Sequence, residues 1–532
     1  MFLLFTVFTL VLDIRPGRAW YVVKYLLFEE SITSLLLYVL AFVVTIVSAV
    51  ALLTLPNPYL RFVSWLIFGV AFFVNSCYRL ITGYEFMYND WLLAKSNLSF
   101  STHAFQQFLS SIVISLFFSM GMVWLGLYVV KKKSLYAPSF MLWWIPMGFV
   151  LAYGEISKSV GTVEQFPAMV RMPAILLHSF FNSLPSAERA PVVETSSREK
   201  VPHIFLIVDE SITGSALGLN NPTLQTTPFL VSHRDQLIDY GIASSYTNYS
   251  AGSNLALTAG ARMQGLPDSL YDLIRQPTLY QYAKNAGYKT FLIDAQMDDL
   301  RLQNFLSDRD SPFIDSVIAI ASIQEDRLRY ELRDSLINVV LAGLASSDKP
   351  VFGYVVKFGA HWPYARTYPE KEAYFKPTLL RSSLVKDSIR TRNTYFNAVR
   401  WSVDTFWKNL INNLTEKDST IILYTSDHGQ DISRNGIQLS QASVYEVSPN
   451  EANVPLWIYA NYPMSFRPVH RNDCHQQDIF PTLLGWMGYE KDFISKRYGP
   501  SLLESDYHAT KPRTFLTGDI FNRATSARVK FE

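Results

Sequence analysis

The chain has 532 residues, 49% of them hydrophobic and only 17% charged, against roughly 25% charged in an ordinary soluble domain. A mean hydropathy of +0.11 excludes a wholly water-soluble or disordered chain, because so apolar a composition demands either a large buried core or lipid. Lys and Arg number 47 and Asp and Glu 45, a net charge of +2, so there is no sequence-wide basic surface for nucleic acid.

In chain order, Met1–Leu12 is apolar but about 12 residues long, the length of a signal-peptide core or an incomplete crossing. Ser31–Leu55 runs 25 residues without a charge, enough for a helix across ~30 Å of hydrocarbon at ~1.5 Å per residue. Phe62–Leu80 is a second span, with Arg79 near its end where the side chain can snorkel. Phe105–Val130 is a third, stopped by Lys131, Lys132 and Lys133, and Tyr136–Tyr153 a fourth. Residues 1–154 thus read as a membrane module of four or five helices. The lysine triplet sets the orientation, since cytoplasmic loops are enriched in positive charge. The chain then leaves the membrane after Tyr153 on the non-cytoplasmic side; Arg61 agrees with this topology, whereas Arg15, Arg18 and Lys24 oppose it. Thr82–His103, with Tyr84, Phe86, Tyr88 and Trp91, reads as an interfacial segment or a connecting loop. Residues 155–200 turn to Pro, Ser and mixed charge and read as a linker. Cys77 in the apolar half and Cys474 in the polar half make no disulfide framework.

Residues 201–532 read as an α/β domain. Short apolar runs at 203–209, 289–294, 351–358, 420–425 and 455–460 are separated by helical stretches. Strands without polar alternation are buried on both faces, which implies a mostly parallel sheet between helices. In such sheets functional groups collect just past the carboxyl ends of the strands. The first run ends in Asp209 and Glu210, and the fourth in Ser426, Asp427, His428 and Gly429. Carboxylate and imidazole ligands suit Zn²⁺ or Mn²⁺, so Glu210, Asp427 and His428 are the candidate metal ligands.

Val201–Ser211, Ser426–Gly429 and Gln477–Leu484 together resemble the bacterial membrane phosphoethanolamine transferases, of the alkaline phosphatase and sulfatase type. The arrangement of membrane module, linker and α/β domain agrees, so the resemblance covers nearly the whole chain. It implies a multi-pass protein of the bacterial inner membrane with its catalytic domain in the periplasm. It further implies transfer of phosphoethanolamine from phosphatidylethanolamine, through a hydroxyl on the enzyme, to an envelope lipid or glycan such as lipid A, lipopolysaccharide core or a periplasmic glycan. By the same resemblance Glu210, Asp427 and His428 hold the metal, and His361, in Gly-Ala-His-Trp-Pro-Tyr, lies on the substrate side with Trp362 where the family has Gly. The family's nucleophile, a Thr or Ser, opens a helix about forty residues after the metal carboxylate. Aligning the flanks of that region without a gap puts Leu255 at this position; Ser253 is then the candidate nucleophile, ahead of Ser250 and Thr258. The family's late His is replaced by Ser440. These departures leave two alternatives, an impaired relative with a binding or regulatory role and a glycerol-phosphate transferase of the same architecture. The Cys-x-Pro-x-Arg context of true sulfatases is absent around Ser253.

Overall fold

A computed structural model describes residues 32–82, 85–88, 90, 91, 94, 108–132, 168–181 and 187–531, except 298–299, 325–328, 380–387, 415–418, 433–446, 465–471, 505–512 and 523–525. The chain forms two compact units, Met1–Leu184 and Pro185–Glu532.

The first unit contains the helices α1 (Ile32–Leu53), α2 (Pro58–Thr82), α3 (Leu109–Lys132) and α4 (Ala168–Phe181). The first three fall on the first three expected spans, whereas the apolar Met1–Leu12 and the expected fourth span, Tyr136–Tyr153, lie outside the described residues. Among the described residues two helices, Pro58–Ile81 and Leu109–Tyr128, are long and apolar enough to cross a membrane. α2 begins where Asn57 Oδ1 accepts the backbone N–H groups of Tyr59 and Leu60, with Pro58 at its first position, a local stop-and-start signal that separates it from α1. Phe62, Leu66, Phe117, Phe118 and Trp124 are exposed along α2 and α3, an apolar surface that suits lipid and not water. Between these helices Ser119 Oγ donates to the Gly69 carbonyl at 2.6 Å.

α4 corrects the reading of 155–200 as a linker. Its Arg171 makes a buried ion pair with Glu85 at 3.1 Å, and its Ala168 carbonyl accepts from Asn75 of α2 at 3.2 Å. The apolar face of Ala168, Met169, Ala174 and Ile175 is buried in this unit, a helical pattern that Pro173 and the flanking polar residues conceal. Phe86 and Tyr88, expected in an interfacial or connecting segment, are buried here, Tyr88 edge-on to His178 of α4. The remainder of the expected linker belongs to the second unit: Arg189 is buried against Asp310 at 2.7 Å, and Ser196 Oγ donates to the Met487 carbonyl.

In the second unit β1 (His203–Asp209), β2 (Leu237–Ser244), β3 (Lys289–Asp294), β4 (Ser316–Ala319), β5 (Val351–Val356), β6 (Thr420–Ser426) and β7 (Asn453–Ala460) form one sheet in the order β2-β7-β6-β1-β5-β3-β4. The block β6-β1-β5-β3-β4 is parallel, and β7 is antiparallel to both β6 and β2. The sheet is therefore mixed, mostly parallel. β1, β5 and β6 are buried throughout, as their uninterrupted apolar runs require. β8 (Arg513–Gly518) and β9 (Ser526–Phe531) form a separate antiparallel pair. Parallel pairing sets Asp209 of β1 beside Ser426 of β6. The residues that follow each strand, Glu210 on one side and Asp427 and His428 on the other, consequently emerge together at one edge.

Candidate metal centre

Glu210, Asp427 and His428 are all buried, and one ligand atom from each lies within 4.8 Å of the others. His428 Nε2 is 3.6 Å from both Glu210 Oε1 and Asp427 Oδ2. The Gly429 carbonyl, 2.7 Å from His428 Nδ1, can only accept, so Nδ1 carries the proton and the Nε2 lone pair faces the two carboxylates. Gly429 is required where it stands: a Cβ there would lie 2.1 Å from the Asn450 carbonyl oxygen. Asp427 Oδ1 accepts the backbone N–H groups of Ser211 and His428 at 3.0 and 2.6 Å. Its Oδ2 and His428 Nε2 are buried with no hydrogen-bond partner. Two inward-facing acceptors left unsatisfied in a buried setting are costly unless something electropositive joins them. Two carboxylates and one neutral imidazole fit a divalent cation and leave a fourth position open, the pattern of a catalytic and not a structural site.

The charges lead to the same conclusion. Burial, then the neighbouring Glu210 carboxylate, pushes the Asp427 carboxyl well above the ordinary range. Burial would raise Glu210 as well, but the adjacent imidazoles of His428 and His361 and the hydrogen bonds with Asp427 and Ser211 outweigh it and bring that carboxyl down to about 2. Two buried acids side by side thus settle on one negative charge, and a bound dication would let both ionise.

The remaining acceptor positions of Glu210 are filled from three elements. Ser211 Oγ donates to Oε1 at 2.7 Å, while Ser250 Oγ and Gln296 Nε2 donate to Oε2 at 3.2 and 2.9 Å. Ser250 opens the helix Ser250–Ala259, directly after the extended Tyr249, so its hydroxyl sits at the positive end of the helix dipole. Gln296 follows β3, its N–H held by Asp294 Oδ1 at 2.7 Å. His361, after β5, is half-buried and stacks obliquely on Phe358, with Nδ1 2.6 Å from the Trp362 carbonyl oxygen. The half-buried Ser250, Gln296 and His361 mark the side from which a substrate can reach the buried triad.

The structure does not bring Ser253 to this centre. Its hydroxyl is fully buried one turn into the helix, 3.0 Å from Thr247 Oγ1, and accepts from the Thr247 N–H at 3.2 Å. Leu255 lies in the main hydrophobic core and Thr258 bonds back to the Asn254 carbonyl. The hydroxyl at the triad is that of Ser250, which corrects the expectation of Ser253. Ser253 lies about one turn further along and only roughly 60° round the helix axis from Ser250, but its hydroxyl turns back onto Thr247 instead of reaching Glu210. The sequence carries a signal for it: forty residues after Glu210 is Ser250 itself, whereas the gapless alignment of the flanks points past it. Gln296 and Ser211 had no comparable signal, being single polar residues after strand ends. Ser440 lies outside the described residues.

Residues 202–489 match the sulfatase family, which is more than half of the chain. The chain belongs to the sulfatase family. Within it, phosphoethanolamine transferase EptA of Escherichia coli K12 is 30% identical over 153 residues, 25% of this chain and 27% of that relative. EptA of Salmonella typhimurium LT2 is 28% identical over 151 residues. The matched stretch thus spans about a quarter of these relatives' length. Among solved structures, the integral membrane lipooligosaccharide phosphoethanolamine transferase A of Neisseria meningitidis superposes with a TM-score of 0.61 over 92% of both chains at 16% identity. The periplasmic domain of Escherichia coli EptC, crystallised in complex with Zn, gives 0.51 over 64% of this chain and 96% of that one at 18% identity. These two likenesses establish the fold. The resemblance read from the motifs is borne out, and the sulfatase family match contains every member of the site, from Glu210 to His428.

Proposed function

We propose that this protein is a membrane-anchored phosphoethanolamine transferase, with Ser250 as its nucleophile and Glu210, Asp427 and His428 as the ligands of a Zn²⁺ or Mn²⁺ ion. The observation that carries the reading is the Ser250 hydroxyl, 3.2 Å from Glu210 Oε2 at the first turn of a helix. When bound, the divalent ion would supply Lewis-acid charge that favours the ionised form of a nearby hydroxyl. Ser250 Oγ attacks the phosphorus of phosphatidylethanolamine; the bond from phosphorus to the glyceride oxygen breaks, and diacylglycerol leaves with the proton that Ser250 gives up. An acceptor hydroxyl on an envelope lipid or glycan then displaces Ser250, which recovers a proton. The helix amino end faces the charge that develops on the transferred group, and His361 stands on the side where that group enters. In this reading the protein resides in the bacterial inner membrane with its second unit in the periplasm.

The likeness to EptA and to the Zn-bound EptC domain supports the substrate class. Mass spectrometry of envelope lipids and glycans from cells with and without the gene tests it. A gain of one phosphoethanolamine unit on an acceptor is expected; a gain of glycerol phosphate, or identical profiles, would overturn it.

A further inference from the structure

Lys357, the residue after β5, has no solvent exposure at all. Its Nζ is 2.5 Å from Asp209 Oδ2 and 3.6 Å from Asp334 Oδ2, lies 4.1 Å from the centre of the Phe406 ring, and donates to the Ser402 carbonyl. Ser402 belongs to a π-helical turn, Arg400–Thr405, that interrupts the helical run from Ser388 to Asn413. Such a turn frees a carbonyl from the helix ladder, and π-turns collect at functional sites. An ammonium buried this completely needs a compensating role, because hydrophobic replacements of buried ion pairs are often no less stable.

That role is legible in what each carboxylate holds. Asp209 Oδ1 accepts the backbone N–H of Glu210 at 2.9 Å, while Oδ2, beside Lys357, also accepts from Tyr424 at 2.6 Å. Asp334 accepts the N–H groups of Phe358 and Gly359 at 2.8 and 3.1 Å, the turn that leads to His361. The two strand ends touch directly at Gly359, whose φ is +56° and where a Cβ would meet Asp209 Oδ1 at 2.3 Å, and at Ala360, whose N–H donates to the Glu210 carbonyl. We infer that the Asp209–Lys357 ion pair is a positioning device for the metal centre, which clamps the end of β1 against the end of β5 and so fixes Glu210 relative to His361. Outer partners that orient a ligand commonly change metal affinity by about 10–100-fold. This inference rests on the metal reading of the triad.

The test uses the full chain in detergent and Co²⁺ as a visible probe of the site. Asp209→Asn keeps the side-chain shape but breaks the ionic link; Asp209→Asn with Lys357→Met removes both charges together, so no buried charge of the pair is left stranded. We expect at least one of the two variants to keep the parent's melting temperature. In it, Co²⁺ should bind about 10-fold more weakly with a shifted absorption spectrum, and kcat should fall with KM little changed. Parent-like affinity, spectrum and kcat in a folded variant would overturn the positioning role while leaving the metal reading intact. A loss of folding in both variants would make the pair a structural one and also overturn it. A parent protein that binds no Co²⁺ would overturn the metal reading itself.

Discussion

Ser250 and Ser253 are three residues apart and differ in everything that matters for chemistry. One is half-buried with its hydroxyl on a metal-competent carboxylate; the other is sealed beneath the first turn, bonded to Thr247. Ser253→Ala is therefore expected to preserve transfer while costing about 1–2 kcal/mol, because the buried Thr247 groups lose their partner. Denaturant unfolding together with a transfer assay checks both halves. Leu255→Thr should introduce no new nucleophile, only a polar group into the core, and a gain of activity in that variant would contradict the register described here. Asp427→Ala removes a proposed ligand and should bring bound metal from near one equivalent to well below it by elemental analysis; equal metal in both proteins would contradict the triad. Glu210, Asp427 and His428 were legible in the sequence because each follows an apolar strand, and strand ends carry function in parallel sheets. Gln296 and the Asp209–Lys357 pair were not, since their meaning depends on which strands neighbour one another.

The same distinction holds for elements. Five strands announced themselves as apolar runs bounded by turn signals, and all five are present. β2 escaped notice because Asp239 and Gly241 interrupt it, and its pairing with β7 shifts register between them. β4 has four residues and β8 and β9 form their own small pair, too little pattern for periodicity to register. One junction makes a pH-dependent prediction. His475 precedes the short turn Gln476–Asp478, and its ring accepts from the Gln477 N–H through Nδ1 and reaches the Thr514 carbonyl through Nε2. Burial holds its pKa down at about 4, against 6.5 ordinarily, with the Thr514 bond opposing the shift. The folded state keeps this ring neutral while the unfolded chain binds a proton below about 6.5. The contribution is thus complete above pH 6.5 and is lost as pH falls toward 4, by about 3 kcal/mol. The parent should lose that much more stability across this window than His475→Gln; parallel pH profiles would contradict it.

For the whole molecule, the division into an apolar helical unit and an α/β unit was legible in composition, but the boundary was not. α4, which falls inside the expected linker of residues 155–200, packs its apolar face inside the first unit, and residues from Ala187 onward belong to the second. A periplasm-specific reporter fused after Lys200 should be active, and activity of only a cytoplasmic reporter there would contradict the topology. The most direct measurement follows the phosphorus. The purified, Zn²⁺-loaded chain is incubated with phosphatidylethanolamine vesicles, digested, and the peptide containing Ser250 analysed by mass spectrometry. A phosphoethanolamine adduct on Ser250, with diacylglycerol released and no adduct in Ser250→Ala, is the predicted result. An adduct on a different residue, or none on a chain that holds its metal, would contradict the account.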